Sequence, residues 1–492
     1  MEYFTFLEKD DRVKMQILLK LDHSRARRVS IKRLLDDLGL TRYRLNKLLN
    51  SLIEDLNQFK ETSCRLVFED NELVGDNLSF SLLQAIQLKY LKRSLRFQIF
   101  QYEYVDRQGE TRQQFLKEHY LSQSRYYAIR AEMDPILNDN QQPTKSPVLN
   151  VHPELRKRVQ LTNIYAHFFN GIENPFPDIN TETAKFCNFI TMTFKLSLTP
   201  GQQLKLRMFF QIQYKRLQGR HFVNIRHLAK LQPDSRLPFL KNYYLKNVPH
   251  AESADIDSEV GFLLLFMASE EIVQHAPVKV ANTFEKQFVN ATQQFERVLA
   301  NTPVLSQDQF SEQLRHQIAL HLAKMSNSFL VFDFNQMYKV KSRDGQHLTR
   351  NFPGLTLLAK DLVRTATAIF KLNLANGCQT DLTNFYLRVL IDSIPSRLMQ
   401  DKVTICVDFV QNEIPKDYFS QMIRVNLGGG IVFADHLSSN VDIYLSDIFV
   451  AGIRDIPQVT WSDPLQMSNW DNLRKKIVQV KLEKVAKVVA VS

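Results

Sequence analysis

Ser30 to Leu56 reads SIKRLLDDLGLTRYRLNKLLNSLIEDL, a helical rhythm that breaks at Gly39 and then resumes. The same layout returns 81 residues later in TRQQFLKEHYLSQSRYYAIRAEMDPIL, Thr111 to Leu137. Each copy specifies two short helices meeting at a sharp turn. In the first, Ser30 can cap a helix whose inner face carries Ile31, Leu34, Leu35 and Leu38. Gly39 can take the left-handed conformation that ends it, Leu40 packs in the turn, and Thr41 can cap the next helix. Leu45, Leu48, Leu49, Leu52, Ile53 and Leu56 then make one buried stripe. In the second copy Thr111 stands for Ser30, and Phe115, Leu116 and Leu121 stand for Leu34, Leu35 and Leu40. Ser122 stands for Thr41, and Tyr126, Ile129, Met133 and Leu137 stand for Leu45, Leu48, Leu52 and Leu56.

The stripes leave a second face free. In the first copy it holds Arg42, Tyr43, Arg44, Asn46, Lys47 and Asn50; in the second, Gln123, Ser124, Arg125, Tyr127 and Arg130. Arg can bond both acceptors of a guanine edge, and Asn matches adenine. Lys and Tyr more often hold phosphates. These residue types at the start of a second helix predict a helix that enters the major groove of double-stranded DNA. After the first copy, CRLVFEDNELVG alternates apolar and polar residues around Asp70–Asn71, which predicts a β-hairpin wing. After the second, NDNQQPTKSPVLNVHP, Asn138 to Pro153, predicts a further wing and a linker. Two modules on one chain raise the effective concentration of the second once the first is docked.

Charge points the same way. The net charge is +11, and Arg12 to Lys47 holds eleven Lys/Arg against three Asp. A second block, Gly201 to His250, holds ten Lys/Arg against one Asp. Clustered positive charge is the footprint of a phosphate-binding surface, though a solvated helix face has the same composition.

At 492 residues the chain is too long for one core, so about three to five domains are expected. Scarce Gly and abundant Leu, Lys, Gln and Arg favour helices. Helical patterns run from Glu154 and again from near Lys286, without a sustained heptad. From Asp401 the texture changes: KVTICVDFV, GGIVFAD and VDIYLSDIFV are short β-rich runs interleaved with helical patches, which predicts a small α/β domain with a parallel sheet. The N-terminus is acidic where a signal peptide is basic, no apolar run approaches a membrane span, and Cys64, Cys187, Cys378 and Cys406 are scattered. A reducing cytoplasm is expected. No metal-ligand spacing, nucleotide-binding loop or H-E-x-x-H helix is present, so neither enzymatic activity nor a cofactor is expected.

The order of these segments resembles the Mga/AtxA-type transcriptional regulators, a virulence-regulator family. The local matches are the Ser30–Leu56 unit, the Leu121–Leu137 unit with its LSQSRYYAI start, and RLQGRHFVNI at Arg216–Ile225. The resemblance implies a mainly α multidomain protein. It would have winged helix-turn-helix domains at 1–78 and 79–152, and helical-bundle phosphotransferase-system (PTS) regulation domains at 153–285 and 286–398. A small α/β IIB-like domain would follow at 399–492. It also implies dimers or higher oligomers, and histidines that accept phosphoryl groups from the phosphocarrier protein of the sugar phosphotransferase system. His221 matches a regulatory position best, with Lys215, Arg216 and Arg220 beside it. His275, His316 and His321 are further candidates, each also readable as a cap or interface residue. A working IIB component carries its cysteine in a phosphate-cradling loop. Here Cys406 lies inside a β run followed by QNEIPKD, so the domain reads as a scaffold for dimer contacts. The alternatives are an RNA-binding antiterminator, which also carries paired regulation domains, and a phosphotransfer component of the sugar-uptake system.

Overall fold

The computed structural model describes residues 3–24, 27–59, 64–105, 111–137, 153–226, 229–270, 272–273, 276–280, 282–332, 344–370, 376–410, 416–427, 429–453, 455–461 and 467–491. Within them the protein is mostly helical, with a small parallel sheet near the C-terminus. The chain forms two compact units, Met1–Val280 with Val331–Tyr338, and Ala281–Leu330 with Lys339–Ser492.

The first unit opens with α1 (Lys9–His23), β1 (Arg28–Ser30), α2 (Ile31–Leu38) and α3 (Arg42–Asn57). Ser30 and Thr41 cap α2 and α3 by accepting from the Arg33 and Arg44 amides, and Gly39 ends α2 at φ 61°. Strands β2 (Arg65–Glu69) and β3 (Glu72–Asp76) form a hairpin, with β1 adding to β3 in the order β1-β3-β2. Its two-residue turn puts Asp70 at φ 44° and Asn71 at φ 64°, the left-handed pair that matches strand twist. Helices α4 (Phe80–Lys92) and α5 (Leu95–Tyr104) lead to α6 (Arg112–Glu118) and α7 (Gln123–Leu137). The wing and linker expected after α7 lie outside the described residues up to Pro153.

The unit continues with α8 (Pro153–Phe169), α9 (Asn180–Phe194), α10 (Pro200–Gln218), α11 (Leu237–Asn247) and α12 (Ile256–Ser269). Strands β4 (Ala229–Leu231) and β5 (Val278–Val280) pair antiparallel. An aromatic seam joins α8 to the preceding helices: Phe97 meets Tyr165, Phe168 and Phe169 at centroid distances of 5.7, 6.5 and 6.4 Å. Phe6, fully buried, meets Phe100 at 4.9 Å and Phe168 at 6.2 Å. His167 faces Gln87 across this seam at 2.9 Å, and burial pushes its pKa down to about 4.

In the second unit α13 (Asn282–Asn301), α14 (Glu312–Phe332, in this unit up to Leu330), α15 (Asp344–Asn351), α16 (Pro353–Phe370) and α17 (Asn376–Ser393) enclose a core that includes Phe295, Leu322, Leu358, Leu362 and Tyr386. Strands β6 (Val403–Asp408), β7 (Ile431–Ala434), β8 (Ile443–Ser446) and β9 (Gln458–Thr460) form a parallel sheet in the order β7-β6-β8-β9. Helices α18 (Lys416–Leu427) and α19 (Met467–Val491) pack Phe419, Ile423, Trp470 and Leu473 against Val403, Ile405, Ile443 and Leu445. The opposite face, with Cys406 and Tyr444, is covered by Val450, Ile453 and Ile456.

Candidate nucleic-acid interface

The first turns of α3 and α7 carry the residues that the sequence pattern singles out. Arg42, Asn46, Lys47 and Asn50 are exposed, and Tyr43 is 81% exposed. Arg44 is half-buried and pairs with Asp10 of α1. On α7, Gln123, Ser124 and Arg125 are exposed, while Tyr127 is 47% exposed and accepts a 2.6 Å hydrogen bond from Arg112. Arg130 is less free than the pattern suggests, because it reaches Glu103 at 3.4 Å.

What holds these helices in place was hidden in the apolar stripes. Asp55, on the buried side of α3, is 5% exposed and takes Lys14 at 2.9 Å, Lys89 at 2.8 Å, Tyr90 at 2.9 Å and Arg93 at 3.2 Å. One carboxylate thus ties α3 to α1 and to the α4–α5 junction. Burial would raise its pKa, but the bonds from Lys89, Lys14 and Tyr90 prevail and hold it far below the usual carboxylate range. A depressed folded pKa contributes stability that is complete above the unfolded value near 4 and is lost as pH falls below it. We expect Asp55→Ala to cost about 1–3 kcal/mol, because it removes the charged acceptor shared by Lys14, Lys89, Tyr90 and Arg93, while Lys14 keeps Ser51 and Asp11. Urea unfolding at pH 7 would measure this, and the deficit should shrink toward pH 3.

The α7 counterpart is Glu103 of α5, which accepts from the Tyr126 hydroxyl and from Arg130. Arg112 also lies 5.5 Å from the Tyr127 ring centroid, giving the second copy an arginine at its first-helix start that the sequence pattern did not flag. On the hairpin, Phe68 is 51% exposed beside the Asp70–Asn71 turn.

The two basic blocks differ. In the first, Lys14 is consumed internally and Lys20, Arg28, Arg33 and Arg44 pair with Asp37, Glu69, Asp37 and Asp10, while Lys32, Arg42 and Lys47 face solvent. In the second, Lys205, Lys215, Arg216, Arg226, Arg236 and Lys241 pair with Glu270, Asp178, Glu154, Asp255, Asp234 and Asp257. Its positive charge is largely neutralised by acids that are distant in sequence or, for Asp234, adjacent. Both blocks therefore carry less unpaired positive charge at their surfaces than their sequences suggest.

Of the candidate histidines, His221 is exposed in the turn after α10. Its amide bonds the Arg216 carbonyl at 3.0 Å, and its carbonyl accepts from Arg158 at 2.8 Å. Its ring rests on Gly219, where an added Cβ would meet Cδ2 at 3.0 Å. Desolvation first, then nearby Arg216, lowers its pKa, so the imidazole is neutral at pH 7 and its lone pair is available. His316 is exposed, and its Nδ1 pairs with Glu296 beside a cleft of about 360 Å³ that includes Arg297 and Arg315. His321 is half-buried, and His275 lies outside the described residues.

Cys406 is 4% exposed on β6. It borders a cavity of about 350 Å³ with Asp408, Asp435, His436 and Tyr444, and neither Arg nor Lys is among the lining residues. Among the described residues, no cluster suits a metal ion and no helix is long and apolar enough to cross a membrane. No protein-family model matches this sequence, and no curated protein matches it.

Proposed function

We propose that the chain is a DNA-binding transcriptional regulator whose DNA affinity or oligomeric state responds to histidine phosphorylation by the sugar phosphotransferase system. The observation that carries this is the repeat: two capped helix pairs, each presenting a polar, solvent-facing first turn on its second helix and each anchored behind by a carboxylate, the buried Asp55 and the partly buried Glu103. α2–α3 with the β2–β3 hairpin would act as a winged helix-turn-helix, and α6–α7 as its second copy. The helices of 153–285 and 286–398 would be regulation domains, and 399–492 an IIB-like scaffold for self-association. His221 is the favoured phosphoryl acceptor because it combines exposure, a neutral ring and neighbouring arginines. The partners are then double-stranded DNA, the phosphocarrier and a second copy of the chain, in the cytoplasm.

An RNA-binding antiterminator fits less well, since its RNA module is small and β-rich, whereas the repeated units α2–α3 and α6–α7 are helix pairs. A phosphotransfer component fits less well because the carboxylate-lined Cys406 cavity offers no cation to a phosphoryl group. The test is duplex binding by the full-length chain across a salt series. Affinity should fall steeply with salt, and Lys47→Ala should flatten the log–log slope by about one unit. Failure to retain any duplex at low salt would overturn the proposal.

A further inference from the structure

Arg216 of α10 is 7% exposed and makes three contacts that belong to different parts of the first unit. Its Nε bonds Glu154 at 2.9 Å, its Nη2 bonds Glu154 at 2.5 Å, and its Nη1 bonds the Tyr104 carbonyl at 2.6 Å. Tyr104 ends α5, and its neighbour Glu103 holds Tyr126 and Arg130 of α7. The Arg216 carbonyl anchors the His221 amide, and Arg158 bridges Glu154 to the His221 carbonyl. A continuous set of bonds therefore runs from the His221 turn, through one guanidinium, to the helix that supports α7.

Glu154 sits in that set as an anion between two arginines. Burial would raise its pKa, but the bond from Arg216 and the field of Arg158 hold it below the ordinary range. A phosphoryl group on His221 brings a charge of about −1.5 to −2 and three acceptor oxygens, against one negative charge on Glu154. Guanidinium groups favour such oxygens.

We infer that Glu154 holds the place of a phosphoryl group: on phosphorylation of His221, Arg216 exchanges Glu154 for the phosphoryl oxygens and releases the Tyr104 carbonyl, loosening the support of α7. This rests on the phosphorylation reading above and adds the route by which charge at His221 reaches a DNA-facing helix. The modification itself is balanced. A lone pair of neutral His221 attacks phosphorus, the donor's P–N bond breaks, and its electron pair leaves with the donor nitrogen.

The experiment uses the full-length chain and phosphoramidate, from which ammonia departs, so that no phosphocarrier is needed. Phosphohistidine is mapped by mass spectrometry, and amide hydrogen exchange is followed in segments 98–105 and 123–130. Phosphorylation at His221 should speed exchange in both segments by roughly tenfold. The acceleration should vanish in His221→Ala, whose exposed side chain is dispensable to the fold. Arg216→Lys should show fast exchange before modification and no further change after it, while His221 is still labelled. Should Arg216→Lys fail to fold, His221→Ala carries the test. Stoichiometric label at His221 with unchanged exchange would overturn this inference alone. Absence of label at His221 while other histidines react would overturn both the inference and the assignment of His221.

Discussion

Replacing Arg42, Arg44 and Arg125 together by alanine in the full-length chain should weaken duplex binding at least about a hundredfold, since a guanidinium on a base edge contributes about 1–3 kcal/mol. Arg42 and Arg125 stand exposed on the first turns of α3 and α7, and nothing in the core depends on them. Arg44 must first leave Asp10, but both side chains are roughly half exposed, and such surface pairs contribute little. The unfolding midpoint should therefore stay close to that of the parent. A fluorescence-anisotropy titration at fixed salt, with a urea curve as control, separates the two effects. Unchanged affinity would remove the groove-binding model.

The largest expected loss of stability comes from Glu259→Ala. Arg158 and Glu259 are 1% and 0% exposed, and the guanidinium donates to both carboxylate oxygens, at 2.6 and 2.9 Å. Glu259 also accepts from Gln213 at 2.8 Å and from the Val223 amide at 3.0 Å. Removing it leaves a buried cation without its main counter-charge and an unpaired backbone N–H, a cost of about 3–5 kcal/mol. Its effect should concentrate in the first unit, because α8, α10, α12 and the His221 turn all meet at this pair. Glu259→Gln keeps an acceptor and should lose less. Equal stability of Glu259→Ala and the parent in urea would show that Arg158 finds another partner.

The helices and turns of the N-terminal segments were legible because their signals are local. Caps at Ser30, Thr41 and Thr111, the left-handed Gly39 and the Asp70–Asn71 turn each act within a few residues. The parallel sheet was legible from its β-rich runs interleaved with helical patches. What escaped was long-range pairing. Asp55 lies among the leucines of α3, and nothing near it in sequence announces Lys14, Lys89 or Arg93. The ion pairs of the second basic block were not legible because counter-charges such as Glu154 and Glu270 lie outside the window. The pairing of Arg130 escapes a local pattern because its partner Glu103 belongs to another helix. Net charge summed along a segment says little about a surface once the chain folds acids from elsewhere onto it.

Phe6 carries a consequence for how the molecule is made. Its ring is seated between Phe97, Phe100 and Phe168, so the opening residues have their socket only when the far wall has been synthesised. At about 5–20 residues per second, the growing chain emerges for about ten to thirty seconds with that aromatic patch uncovered. A fragment cut near residue 150 would lack Phe168 and keep that side of the patch uncovered permanently, inviting aggregation.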